Sequence, residues 1–251
     1  MMNLGEIRII VVEPAGPRNI GSIARAMKNF GLQKLVLINP QCDRLDVEAR
    51  YMAVHAQDIL ESATVVPKLL DGLKGCKRAI ATCGEERNVD ITPEYPQKAL
   101  PWLLEDDGQP SALIFGRENS GLTNEELNYA QRLIRIPSNP QYSSLNLAIA
   151  VSICCYQLSI SLEPCSTEWT VPQVSTTKDL APLDVVEVYY QQLESLLLKI
   201  GYLYPHTAPS RMGKFRQIYH RTQLRSREVA MLRGVLRQFT WALSQVNKDE
   251  L

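Results

Sequence analysis

The chain has 251 residues, 45% of them hydrophobic and 22% charged, enough apolar material for one large domain with an appendage. Lys and Arg (27) balance Asp and Glu (27), so net charge alone points to no partner. No apolar run reaches the roughly 18 residues of a membrane span. The six cysteines include no C-x-x-C, and the three histidines (His55, His206, His220) have no ligand-like spacing. These features argue against a membrane protein, a disulfide scaffold and a metal enzyme, and for the reducing cytoplasm.

In chain order, IRIIVVE (7–13) reads as a buried strand and runs into the loop PAGPRNIGS (14–22). A helical pattern covers Ile20 to Phe30, followed by a strand at KLVLINP (34–40) and a helix from Pro67 to Leu73. RAIATC (78–83) is a third strand, leading into TCGEERN (82–88). SALIFG (111–116) is a fourth, leading into GRENSGLT (116–123), and Thr123-Asn124-Glu125-Glu126 has capping-box form. LIRIP (133–137) is a fifth strand before PSNPQYSSLN (137–146), after which Ser143 or Ser144 is expected to cap a helix running to about Leu162. Short Val- and Ile-rich runs alternating with helices imply an α/β domain, its sheet mainly parallel with helices on both faces.

Pro, Ser and Thr break the pattern over 163–181, which reads as a linker. Beyond it, Val185, Val186, Tyr189, Leu193, Leu196, Leu197 and Ile200 recur at helical spacing, and further helices are expected at about 209–222 and 226–246. From Lys199 to Arg237 nine Lys or Arg face one acid, Glu228. A basic segment on a neutral chain suggests a polyanionic partner. The expected organisation is a 1–162 domain, a 163–181 linker and a 182–251 basic helical extension.

In open α/β sheets ligands sit beyond the carboxyl ends of the strands, where four loops here have unusual content. Gly116 and Gly121 hold P-loop spacing with Thr123 in the terminal place, but Leu122 stands where the phosphate-binding lysine belongs. No G-x-G-x-x-G follows an early strand and no G-x-S-x-G elbow is present, which argues against a dinucleotide fold and a serine hydrolase. Each loop taken alone reads as well as an ordinary turn, and Thr123 alone as a helix cap; four such loops on one sheet together suggest a site.

NIGSIARAMKNFG (19–31), IFGRENSGL (114–122) and IPSNPQYSSLNLAIA (136–150) together resemble the three ordered motifs of the SPOUT superfamily of S-adenosylmethionine-dependent RNA methyltransferases. TNEEL and NPQYSSLNLA, with the tail FRQIYHRTQLRSREVAMLRGVL (215–236), are similar to its TrmJ subfamily, which methylates the ribose 2′-hydroxyl of tRNA nucleotide 32. The resemblance implies a trefoil-knotted domain, a homodimer and no metal. It also implies a cofactor slot for S-adenosyl-L-methionine made of Thr82, Cys83, Gly84, Gly116, Ile136, Ser143, Ser144 and Leu145. In that reading Arg25 is the catalytic arginine, Asn19 fixes it or the loop, and Glu118 orients the arginine or a neighbouring subunit. RNA contacts are expected from Arg87, Arg117, Arg211, Lys214, Arg216, Arg221 and Arg225. One departure is that TCGEERN carries Glu85 and Glu86 where the subfamily often has arginine, which weakens that loop's expected contact with RNA. Related proteins act on rRNA or on other tRNA positions, and the rival classes are a non-catalytic RNA-binding protein and a small-molecule methyltransferase or nucleotide enzyme.

Overall fold

The computed structural model describes residues 4–84, 91–105, 108–162 and 179–246, in two compact units divided between Thr177 and Lys178. Arg87, with Glu85 and Glu86, lies outside the described residues, as does 163–178 of the expected linker. Residues 179–181 belong instead to the second unit, where Ala181 N donates to Leu224 O at 2.9 Å.

The first unit opens with β1 (Ile7–Val12), α1 (Pro17–Asn29) and β2 (Lys34–Ile38). Two short helices, α2 (Val47–Ala53) and α3 (Gln57–Ser62), precede β3 (Thr64–Val66) and α4 (Leu69–Leu73). Next come β4 (Arg78–Thr82), α5 (Pro96–Ala99) and a 3₁₀ turn at Leu100–Leu104. The unit ends with β5 (Ser111–Phe115), α6 (Asn124–Leu127), β6 (Arg132–Ile134) and α7 (Leu147–Ile160). The six strands form one sheet in the order β3-β2-β1-β5-β4-β6, every pair parallel.

Alternation along the strands sorts the core. Ile7, Ile9 and Val11 of β1 join Leu35, Leu37, Leu113 and Phe115 in a layer with Ile20, Ile23 and Met27 of α1 and Val151, Cys155 and Leu158 of α7. Ile10, Val36 and Ile38 point the other way, against Gly72 of α4. Both faces are therefore covered, as a parallel sheet requires. Cys154 and Cys155 are core thiols, and burial pushes Cys155 up to about 12.

Two expectations change. The edge strand β3 and the helices α2, α3 and α5 were not foreseen. Asn146 caps α7, its side chain accepting from Ala148 N and Ile149 N, so Ser143 and Ser144 precede the helix and do not cap it. The Thr123 capping box is present in full, with Glu126 as its return partner.

The second unit is three helices, α8 (Leu183–Lys199), α9 (Ala208–Thr222) and α10 (Ser226–Val246). Val186, Tyr189, Tyr190 and Leu193 of α8 pack with Met212 of α9 and with Val229 and Leu236 of α10.

Candidate active site

A parallel sheet delivers the loops after β1, β4, β5 and β6 to one edge. There a cavity of about 280 Å³, near the small end for ligand pockets, is lined by Thr82, Cys83 and Gly84 after β4, by Gly116 to Gly121 after β5, and by Ile136, Ser143, Ser144 and Leu145 after β6. All eight positions expected to form the cofactor slot line this one cavity.

Backbone hydrogen bonds shape the walls. Arg117 N and Gly121 N exchange bonds with each other's carbonyls at 3.2 and 3.1 Å, closing the loop after β5 into a tight turn, and Gly121 holds φ at +67°. Gly116 faces that returning chain: a Cβ there would lie 2.2 Å from the carbonyl carbon of Gly121 and 2.4 Å from Leu122 N. Its glycine is demanded by the loop itself, so a branched residue at 116 would displace the loop before it could fill the cavity. A Cβ on Gly84 meets nothing within 4 Å. After β4, Thr82 Oγ1 donates to Ile114 O at 3.1 Å and Cys83 N to Ile134 O at 2.9 Å. Ser138 Oγ donates to Ser143 O at 2.9 Å, holding the third wall.

Glu118, on the cavity wall, accepts from Ala15 N (3.2 Å), Gly16 N (3.1 Å) and Asn19 Nδ2 (3.2 Å). Burial alone would raise its carboxyl, but bonds from its own amide, Asn19, Gly16 and Ala15 outweigh burial and hold it below the usual range. Asn19 Oδ1 in turn accepts from Asn146 Nδ2 at 3.1 Å. Residues 19, 118 and 146, from three different motifs, thus form one hydrogen-bonded chain. Asn146 was missed as a site residue, although SSLN precedes an apolar helix and an Asn there is a standard cap signal.

Arg117 was expected to touch RNA. Instead its Nε donates to Glu13 Oε2 at 2.7 Å, and Nη1 and Nη2 bind Glu126 at 2.9 and 3.0 Å. Glu126 first and Glu13 second raise the guanidinium further above its ordinary range, so Arg117 is committed to fastening its own loop. Gly21 also has a packing reason: a Cβ on it would lie 2.2 Å from Ala49 O of α2.

Arg25 is exposed on α1, no hydrogen bond or ion pair among the described residues holds it, and it does not line the cavity of its own chain. Close by, α7 packs beside α1 and leaves Ile149, Tyr156 and Ile160 exposed along one side, with Tyr156 edge-on to Phe30 at 5.8 Å.

In the second unit Arg211, Lys214 and Arg221 lie on the exposed side of α9 at spacings of three and seven residues, a basic stripe. Arg216 points inward, where it pairs with buried Glu187 and lies 4.5 Å over the Tyr190 ring, so the expected RNA contact there is corrected to a structural ion pair. Arg225 is half-buried, and its backbone pairs with Leu180. Among the described residues no group of three or more His, Cys, Asp or Glu could hold a metal, and no helix is long and apolar enough to cross a membrane.

A parallel sheet whose carboxyl edge gathers three such loops over one cavity is the architecture of a SpoU-type methylase domain, and residues 6–156 match the SpoU rRNA Methylase family. Residues 184–250 match the tRNA methyltransferase TrmJ, C-terminal domain. The chain is 37% identical over 248 residues to the tRNA (cytidine/uridine/adenosine-2′-O-)-methyltransferase TrmJ of Pseudomonas aeruginosa strain UCBPP-PA14, covering 93% of each chain. It is 37% identical over 235 residues to the tRNA (cytidine/uridine-2′-O-)-methyltransferase TrmJ of Escherichia coli strain K12, covering 93% of this chain and 94% of the relative. The crystal structure of TrmJ from Z. mobilis ZM4 superposes with a TM-score of 0.81 at 31% identity, covering 93% of this chain and 98% of that one. The chain belongs to the SpoU methylase family, within its TrmJ group.

Proposed function

We propose that this chain transfers a methyl group from S-adenosyl-L-methionine to a ribose 2′-hydroxyl of tRNA, at nucleotide 32 of the anticodon loop. The observation that carries the reading is the cavity itself: three separate motifs converge on it with Gly, Ser and backbone groups. The names of the TrmJ relatives support a tRNA ribose as the acceptor.

The donor supplies an electrophilic methyl on a sulfonium; its recognition is the work of the chain. The open space over Gly84 and the apolar faces of Ile136 and Leu145 suit an adenine-sized ring, with wall amides and carbonyls to meet its edge. Methyl transfer then needs the 2′-oxygen held in line, and alignment alone supplies about 7–11 kcal/mol in the best intramolecular cases. Arg25 is assigned to hold a backbone phosphate and to stabilise the 2′-oxygen as its proton leaves to phosphate or water. A guanidinium stays charged at any working pH and donates but does not accept, so it is no general base.

Because Arg25 lies outside its own chain's cavity, the reading includes a homodimer in which a second copy closes the site. Its interface would be the α1–α7 side bearing Ile149, Tyr156 and Ile160, and Arg25 of the partner subunit would complete the cavity. The basic stripe of α9 is assigned to tRNA, and the expected setting is the cytoplasm.

Arg25→Lys tests the reading. Lysine keeps the charge but loses the planar fork, so fold, dimer and donor affinity should persist. The single-turnover rate at saturating tRNA should fall about 100-fold, the scale of one lost transition-state donor. A rate within about threefold of wild type would remove Arg25 from the mechanism, and ribose-methyl mapping of total tRNA with and without the protein checks position 32.

A further inference from the structure

The second unit has a groove between α8 and α10, of about 760 Å³, that lies apart from the basic stripe on α9. Leu196 and Leu236 form its buried floor. Positions 188, 192, 195 and 199 of α8, and 237, 241 and 244 of α10, recur at helical spacing along its two walls. Trp241, which lines the groove, is 59% exposed. Lys199 and Arg237 line the same groove, and α10 has no acid from Val229 to Val246. Gln192 Oε1 accepts from Arg233 Nε at 3.1 Å, so its NH₂ is left as a donor; Gln191, Ser195 and Thr240 add further neutral donors and acceptors.

One exposed aromatic is ordinary on any surface. An indole beside two cations and uncharged hydrogen-bonding side chains, all in one concave groove, has the composition that unpaired RNA selects. A base stacks on the ring, cations meet the backbone phosphate, and amides read the base edge. A protein helix could use the apolar part of this lining as well as a base could, but it has no need of the two cations, which favour a polyanion. We propose that the groove binds one unpaired nucleotide of the RNA substrate, its base stacked on Trp241 and its phosphate met by Lys199 and Arg237. The proposal rests on the reading of this chain as a tRNA enzyme and adds a second point of contact, separate from the cavity.

The test uses the full-length protein, with a short unpaired oligoribonucleotide, a duplex of equal length and tRNA as probes. Trp241 is exposed, so replacing it should leave the fold intact. Trp241→Ala should weaken the unpaired probe by at least about fivefold, the low end for one base–aromatic stack, and leave duplex binding unchanged. It should raise KM for tRNA while kcat at saturating tRNA stays at the wild-type value, and Trp241→Phe should restore binding. Lys199→Ala with Arg237→Ala should flatten the salt dependence by about 0.7 in log–log slope, one single-strand phosphate contact. Equal affinity of wild type and Trp241→Ala, with wild-type methylation normal, would overturn the groove alone. Loss of self-association in Trp241→Ala with RNA affinity intact would overturn it in favour of a protein interface. A wild-type protein that neither binds nor methylates tRNA would overturn both this proposal and the function on which it rests.

Discussion

Exchanging glycine for alanine inside a helix ordinarily stabilises a protein by roughly 0.5–1 kcal/mol. Gly21→Ala should do the reverse. The added Cβ would sit 2.2 Å from Ala49 O, 2.9 Å from the same residue's carbonyl carbon and 2.9 Å from Met52 Cβ. Two of those three atoms are backbone, so no side-chain rotation relieves the clash and α1 must move off α2 by about an ångström. A gap of that size forfeits a quarter to a half of each contact's attraction along the seam, and overpacked cores typically lose about 1–3 kcal/mol. After the helix-propensity gain, a net destabilisation of about 1 kcal/mol remains. With a urea slope of about 1–3 kcal/mol/M the midpoint should fall by roughly 0.5 M. Trp102, buried in the first unit's core, reports that unit by itself once Trp169 and Trp241 are replaced by Phe. A midpoint equal to or above that of the parent would show that α1 and α2 do not approach as closely as described. The same shift should reach the site, because Asn19 lies two residues before Gly21 and holds Glu118 and Asn146 at 3.2 and 3.1 Å.

Gly84→Val should leave stability nearly unchanged, since a Cβ there meets nothing within 4 Å, yet lower S-adenosylmethionine affinity at least about tenfold by calorimetry; unchanged affinity would remove Gly84 from the wall. Gly116→Val should instead lower stability and affinity together, because its side chain strikes the Gly121–Leu122 backbone. Glu118, whose folded pKa is depressed, contributes stability that is present above the unfolded value of about 4.3 and is lost as pH falls through the folded one. Glu118→Gln should therefore be less stable than wild type at pH 7 and should flatten the acid limb of the stability profile below about pH 4.3; an identical limb would show that the carboxylate is not held. Arg216→Ala leaves Glu187 buried and unpaired, so the second unit should lose about 3–5 kcal/mol in thermal or urea melts. Lys214→Ala should leave those melts in place and weaken tRNA binding.

Periodicity carried most of the architecture. The last two helices, expected at 209–222 and 226–246, span Ala208–Thr222 and Ser226–Val246 because their apolar positions repeat over many turns. β3 escaped because three residues, two of them exposed, cannot display a period. In α2 the pattern misleads: Val47 and Tyr51 are each 80% exposed, and only Ala49 and Ala53 are buried, so the small residues face the core. The cavity-lining positions were legible as Gly- and Ser-rich strand ends. What the individual residues do was not. Gly21 and Gly116 are glycine because other backbone lies against them, and Arg117 and Arg216 spend their charge on partners 9 to 104 residues away. Such contacts are written in tertiary packing, not in local sequence.

The chain from Asn146 to Glu118 shows how that packing makes a site from separate motifs. Asn146 must turn its oxygen toward Ala148 N and Ile149 N to cap α7, so its NH₂ faces Asn19. Asn19 must then present oxygen to Asn146 and NH₂ to Glu118, whose ionised carboxyl only accepts. The two ends thereby dictate the orientation of the amide between them, and reversing it would set oxygen against oxygen at Glu118 and NH₂ against NH₂ at Asn146. Asn146→Asp separates the two roles of the cap. Aspartate caps a helix as well as asparagine does, so α7 should persist, but the donor to Asn19 is gone. If the amide chain matters only for capping, that variant should match wild type in methylation. If it holds the first turn of α1 at a fixed place on the cavity wall, the rate should fall while α7 stays folded. Arg25 rides on the same helix six residues further on, so a loss of that kind would tie its position to the cavity through a single side-chain amide.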